Sequence, residues 1–266
     1  MDKNWRGRWA LVTGASAGIG VALARELASA GAHLVLTARR LDRLAQLATA
    51  LQKTHGVRTE VFPADLARRD TPEEIRAFTD SKGITVEILI NNAGFGQYGE
   101  FAQVDVRRSL DMLQVNCTAV VHLSRLFLPD MIQRRRGDVL ILASTAAFQA
   151  VPYISTYAAT KAFDLLFAEG LAEEMKPYGI RVCALCPGST ESEFHTAANQ
   201  EQFTSKHPET AEKVARTGLE ALAAGKSYVI SGRGNYLGAQ SQRLVPRRVV
   251  TRIAAGMFRP DKPSRS

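Results

Sequence analysis

Cysteine is scarce. The three in 266 residues, Cys117, Cys183 and Cys186, are too few for a disulfide framework and suit a reducing compartment. Cys183 and Cys186 have the Cys-x2-Cys spacing of redox and zinc sites. On a strand, however, positions i and i+3 point to opposite faces, and no second pair exists. The five histidines (His33, His55, His122, His195 and His207) are scattered without metal-ligand spacing, so no metal is expected. No apolar run approaches the roughly 20 residues of a membrane-spanning helix. The N-terminus, Met1 to Gly7, has no apolar core of the kind a secretory signal carries. A cytoplasmic protein is the expectation. Acidic residues are nearly missing from one region only. Between Gln240 and Ser266 there are seven basic residues and one acid, Asp261, a net +6 out of the chain's +8. The body is close to neutral, and this argues against nucleic acid as a partner.

What is present is an alternation of apolar runs with longer helical patterns. Trp9–Thr13, His33–Ala38, Val57–Phe62, Val86–Asn91, Asp138–Ala143, Ile180–Cys186 and Tyr228–Ile230 read as strands. Helical patterns cover Gly18–Ala30, Leu41–Thr54, a segment opened by Pro72, Val104–Met131 and Ser155–Lys176. Strands without polar alternation, each followed by a helix, indicate a parallel sheet covered on both faces. The expected fold is α/β, a doubly wound parallel sheet (a Rossmann fold). It occupies one domain over residues 1–238, with a basic, partly helical extension over 239–266. The stretches 190–208 and from Ser231 onward are the least regular.

Two constellations carry chemistry. Gly14, Gly18 and Gly20 follow the first strand and open the first helix. Glycines there allow a tight turn and close approach of phosphate to a helix N-terminus. Tyr157 and Lys161 stand four residues apart on one helix face. An ammonium so placed pulls a phenol's pKa down toward neutrality, and Ser144 could hold the oxygen of a carbonyl or alcohol.

The motif Thr13-Gly14-x3-Gly18-x-Gly20 resembles that of the short-chain dehydrogenase/reductase family. So do Asn91-Asn92-Ala93-Gly94, the set Asn116, Ser144, Tyr157 and Lys161, and Pro187-Gly188 with Ser192 beyond it. The resemblance spans residues 7 to 232. It implies hydride transfer between a nicotinamide and a carbonyl or secondary alcohol. Tyr157 would be the general acid/base and Lys161 would lower its pKa and bind the nicotinamide ribose. Ser144 would orient the substrate, and Asn116 would hold a kinked helix and a water. Cofactor contacts are implied for Gly14, Ser16, Gly18, Ile19 and Gly20 at the turn, and for Asp65, Asn91 and Ala93 at the next strand ends. Tyr157, Lys161, Pro187, Gly188 and Ser192 complete them. At the end of the second strand Ala38 stands where NAD enzymes carry an acid, and Arg39 follows it. A guanidinium there suits a 2′-phosphate, so NADP(H) is favoured over NAD(H).

Substrate identity is only faintly encoded. Phe95, Gly96, Ala146, Phe148, Tyr153 and Phe194 are candidate lining residues, a mainly apolar set. A homodimer or homotetramer is implied by the resemblance. In the tail Val249, Ile253 and Met257 recur every four residues among arginines. Such a helix docks on its own domain or a partner subunit, or lies on an anionic membrane surface. The alternative to an enzyme is a cofactor-binding regulator with weak turnover on the same scaffold.

Overall fold

Seven strands pair in parallel in the order β3-β2-β1-β4-β5-β6-β7. They are β1 Trp9–Thr13, β2 His33–Ala38, β3 Thr59–Pro63, β4 Val86–Asn91, β5 Gly137–Leu142, β6 Ile180–Cys186 and β7 Tyr228–Ile230. The computed structural model describes residues 5–191 and 208–260. The helices that connect and cover the sheet are α1 Gly18–Ser29, α2 Leu41–His55, α3 Thr71–Ser81, α4 Val106–Leu113, α5 Ala119–Arg134, α6 Ser155–Met175 and α7 Ala211–Ala223, followed by α8 Arg233–Ser241 and α9 Arg247–Phe258.

Neighbouring residues on a strand project to opposite faces, so each central strand feeds two cores. Ala10 and Val12 of β1 pack with Leu23 and Leu27 of α1, while Leu11 packs with Ile75 of α3 and Leu123 of α5. On β6, Cys183 and Leu185 belong to the first core and Val182, Ala184 and Cys186 to the second. The two strand cysteines therefore lie on opposite sides of the sheet, as free buried thiols. Truncating a fully buried member such as Leu89 to Ala removes about 2–5 kcal/mol.

Three departures from the sequence reading bear on the site. The helix expected over 104–131 is broken: α4 ends at Leu113, a π-helical turn runs over Gln114–Thr118, and α5 then continues to Arg134. An unbroken apolar period hides such a one-residue insertion. Beyond Ser231, where the sequence is least regular and a partly helical extension is expected over 239–266, α9 falls inside that extension, but α8 begins earlier, at Arg233. Two glycines in α8 masked its helical pattern. The third strand is shifted toward Pro63. No helix among the described residues is long and apolar enough to cross a membrane.

Candidate active site

The strand order reverses at β1, which lies between β2 and β4, and a crevice at the carboxyl ends of the strands follows from that switch. The glycine turn sits there. Gly14 and Gly18 have φ of +66° and +50°, a region that disfavours side chains. A Cβ at Gly14 would lie 2.8 Å from Asn92 Nδ2, and one at Gly20 would overlap the Gly14 carbonyl oxygen. The turn is locked to the end of β4. Thr13 Oγ1 accepts from the N–H groups of Asn92 and Ala93, both at 3.0 Å, and Asn92 Nδ2 donates to Thr13 O at 2.8 Å. Helix α1 begins without a side-chain cap and without an acid in its first turn. The N–H groups of Gly18, Ile19 and Gly20 thus open onto the crevice with the positive end of the helix dipole, a fit for a pyrophosphate.

Asn91 is placed differently from the turn. Its side chain is buried, and Nδ2 donates to Ser124 Oγ at 3.2 Å, so only its main chain can serve a cofactor. Asp65 uses one carboxylate oxygen locally, accepting from Ala67 N–H at 3.1 Å in an Asx turn. Arg39 is exposed at the end of β2. Arg40, the residue preceding α2, reaches back to the glycine loop, where Nη2 donates to Ser16 Oγ at 3.2 Å and Nε to the same oxygen at 3.3 Å. This contact was not foreseen, because two adjacent arginines give no local sign of which one turns inward.

On the other side of the crevice, Tyr157 and Lys161 lie one turn apart near the start of α6. The Lys161 ammonium is 5.9 Å from the phenol ring centre. Ser144 caps the 3₁₀ turn Thr145–Phe148 through Ala146 N–H and hydrogen-bonds Tyr157. Asn116 occupies the π-helical turn, fully buried. Its Oδ1 accepts from Phe95 N–H at 3.1 Å, and its Nδ2 donates to Phe95 O and Thr160 Oγ1, both at 3.0 Å. The π turn therefore ties α4–α5 to the segment after β4 and to α6. Thr145 N–H donates to the Pro187 carbonyl, and Gly188 packs against Asn235 of α8, where a Cβ would be 2.5 Å from Nδ2. Ser192, Phe194 and His195 lie outside the described residues.

The electrostatics differ from the expectation. Burial pushes the Tyr157 phenol above its usual value, while Lys161 and the Ser144 hydrogen bond pull it back down. Desolvation wins, and the phenol holds its proton at neutral pH. Lys161 Nζ donates to Leu142 O at 2.7 Å and to Asp164 Oδ2 at 2.9 Å. Burial disfavours the Lys161 ammonium, but Asp164 and Tyr157 hold its pKa above the ordinary value. Asp164 went unnoticed in the sequence, where a carboxylate three residues after Lys161 looks like a solvated helix face. It is 1% exposed, and burial pushes its carboxyl up to about 6 despite Lys161. Its second oxygen, Oδ1, has no hydrogen-bond partner among the described residues. Cys117, beside this pair, is pushed up to about 12 by burial first and by Asp164 second, and is inert as a nucleophile.

An apolar cluster surrounds Tyr157: Met112, Val151, Ile154 and Ala158, with Phe95, Tyr98 and Ala146 packed against them. Phe95 and Ala146, candidate lining residues, thus lie beside the phenol. Phe148 instead packs toward Tyr228, with ring centres 6.2 Å apart. Tyr153 has a left-handed backbone, φ +69°, and its carbonyl accepts Gly99 N–H at 2.9 Å. A non-glycine residue held so is strained by about 1–2 kcal/mol, a cost that recurs at functional sites. From the tail, Ala254 and Phe258 of α9 close on the same cluster. No group of three metal-ligating side chains occurs among the described residues.

A very-long-chain 3-oxoacyl-CoA reductase of Aspergillus clavatus is 37% identical to the chain over 181 residues, 66% of this chain and 52% of that protein. The chain thus spans about half the length of that curated relative. A short-chain dehydrogenase of Sphingobium yanoikuyae, solved in complex with NADPH, is 28% identical and superposes with a TM-score of 0.81 over 97% of this chain and 98% of that one. The bulky-bulky ketone specific alcohol dehydrogenase of Comamonas testosteroni is 29% identical, with a TM-score of 0.76 over 89% and 93%. The short chain dehydrogenase family model matches residues 8–202. With the sheet order and the glycine turn already in place, this match makes the chain a member of the short-chain dehydrogenase/reductase family.

Proposed function

We propose that the protein is an NADP(H)-dependent oxidoreductase that reduces an apolar ketone or aldehyde to an alcohol and catalyses the reverse reaction. The observation that carries this reading is the meeting of half-buried Ser144 with buried Tyr157 and Lys161 across the crevice from the glycine turn. Arg39 and Arg40, at the end of β2, would hold the 2′-phosphate, and the α1 N-terminus the pyrophosphate. When bound, the nicotinamide supplies the hydride.

The chain's own residues do the rest. Ser144 Oγ donates a hydrogen bond to the substrate oxygen and fixes its place beside Tyr157. Tyr157 Oη transfers its proton to that oxygen, and its upward-shifted pKa keeps the proton available at neutral pH. Lys161 has three N–H donors. Two are engaged by Leu142 O and Asp164, and the third would hold a ribose hydroxyl of the cofactor. Its positive charge stabilises the phenolate that the transfer leaves. Asn116 keeps the π turn against α6, so that Lys161 stays under the phenol.

The apolar lining of the Tyr157 cluster supports a hydrophobic substrate, as do the 3-oxoacyl-CoA reductase and bulky-ketone dehydrogenase names of two relatives. Exposed Val106 and Leu110 on α4, with Leu166 on α6, support a homo-oligomer through these helices. Three free thiols fit a cytoplasmic setting. The test is a panel of ketones, aldehydes and secondary alcohols followed by NADPH absorbance and repeated with NADH. Turnover of bulky apolar carbonyls with NADPH supports the reading. NADPH binding without turnover of any member would replace it by a cofactor-bound regulator.

A further inference from the structure

Helix α9 carries two apolar stripes, and the fold uses one of them. Val250, Ala254 and Phe258 recur every four residues, and Ala254 and Phe258 meet the Tyr157 cluster. Ala254 is 3% exposed, and the Phe258 carbonyl accepts the Tyr98 hydroxyl at 3.0 Å. Val249, Ile253 and Met257 recur at the same spacing one position earlier and are 44%, 59% and 67% exposed. A helix that already buries one stripe in its own domain gains no fold stability from a second in water. Tyr236 and Leu237 of α8 and Leu244 after it are also exposed, so the apolar surface runs on through the segment. Large side chains left in solvent at helical spacing mark an interaction surface.

Charge says what kind. From Ser231 to Pro260 there are six arginines and no acid. Arg248 and Arg252, four residues apart, share a helix face bordering the free stripe, and both are exposed. A second copy of the chain against the same face would set arginine against arginine. A nucleic acid would satisfy the guanidiniums and leave the stripe wet. An anionic lipid surface meets both needs, with phosphates at the arginines and the acyl boundary at the stripe.

We propose that α9, with the end of α8, is a membrane-surface anchor: Val249, Ile253 and Met257 enter the headgroup boundary of an anionic bilayer, and Arg248 and Arg252 pair with its phosphates. The neighbouring stripe, about 100° around the helix, rests on the Tyr157 cluster, so the anchored protein holds that cluster close to the layer in which apolar carbonyls dissolve. That consequence rests on the proposed function; the anchoring does not.

The experiment is flotation of the full chain with phosphatidylcholine vesicles, pure or containing about a third phosphatidylglycerol. Flotation with the anionic vesicles alone, weakened by salt, is the expected result. Arg248→Glu with Arg252→Glu should lower partitioning at least about 25-fold, since each arginine near such a surface contributes about fivefold. Ile253→Asp with Met257→Asp should abolish flotation while the thermal melt stays unchanged, because both side chains already stand in water. Should that pair disturb folding, Ile253→Ser alone gives the same ordering with a smaller loss. Absence of flotation with anionic vesicles would overturn the anchor, as would equal flotation of wild type and both variants. So would a lipid-free oligomer that the Ile253→Asp pair dissociates, or an oligonucleotide that binds all variants alike and displaces vesicles. Flotation is read without substrate, so its failure leaves the enzymatic reading standing, and a failed carbonyl panel leaves the anchor standing.

Discussion

Two buried ionic networks sit at opposite ends of the same sheet, and they are built differently. At the amino ends of the strands both oxygens of Asp138 are taken. Oδ2 meets Arg8 at 2.8 Å and the Trp5 indole N–H at 3.0 Å, and Oδ1 meets Arg181 at 2.5 Å. Glu87 adds ion pairs to Arg8 and Arg136. At the carboxyl ends, among the described residues Asp164 pairs with Lys161 through Oδ2, and its Oδ1 has no hydrogen bond. The lower network satisfies both oxygens of its aspartate and links the starts of β1, β4, β5 and β6, with Arg8 Nε, 3.6 Å from Glu87, its one atom short of a hydrogen bond among the described residues. The upper one is left incomplete beside a phenol and a crevice. A buried carboxylate with both oxygens paired is structure, whereas a half-paired one at the strand carboxyl ends is where chemistry is sought.

The sharpest way to test this contrast is to remove one group from each end. Tyr157→Phe should lower turnover about 1,000-fold and leave NADPH binding nearly intact by fluorescence titration. Retained reductase activity would remove the phenol from the mechanism. Asp138→Ala leaves Arg8 buried without its main partner and should cost about 3–5 kcal/mol in urea unfolding, with turnover per folded molecule preserved. If instead it halts catalysis in a stable protein, the two ends are not separable.

Smaller effects grade the upper end. Arg40→Ala should raise the NADPH Michaelis constant about tenfold, the loss of one charge-assisted contact, and the NADH constant much less. Arg39→Ala should act in the same sense, and equal effects on both cofactors would sink the assignment to a 2′-phosphate. Asp164→Asn should act through pH. The carboxylate raises the Tyr157 pKa, so its removal lowers that pKa. Alcohol oxidation, which needs the phenolate, should begin at lower pH in the variant, and the alkaline loss of carbonyl reduction should also move to lower pH. Any change that inflection of the wild-type profile shows near pH 6, where Asp164 ionises, should vanish as well. An unshifted profile would make Asp164 a packing residue.

Most of the sheet could be read before the structure, because buried parallel strands are continuous apolar runs: β1, β2, β4, β6 and β7 fall on the runs marked in the sequence. The glycine turn and the Tyr157–Lys161 pair were legible for a similar reason, since local backbone geometry dictates their residue types and spacing. Arg40 and Asp164 were not. Their importance depends on which way a side chain turns once α2 and α6 have docked, and one-dimensional spacing does not encode that. The α9 helix was half legible. Its period stood out, but which stripe would be covered was a tertiary fact.

The π-helical turn at Gln114–Thr118 amounts to one residue too many in an otherwise regular helix. Closing it by deletion would restore the α period and leave α4 and α5 in nearly the same phase, because the wide turn takes up its extra residue in place. Val120, Leu123 and Phe127 would stay on the sheet while Asn116 lost its hold on Thr160. The extra residue is thus held by the contacts of Asn116 and not by the core. Losing it would cost the tie to α6 while the fold survived.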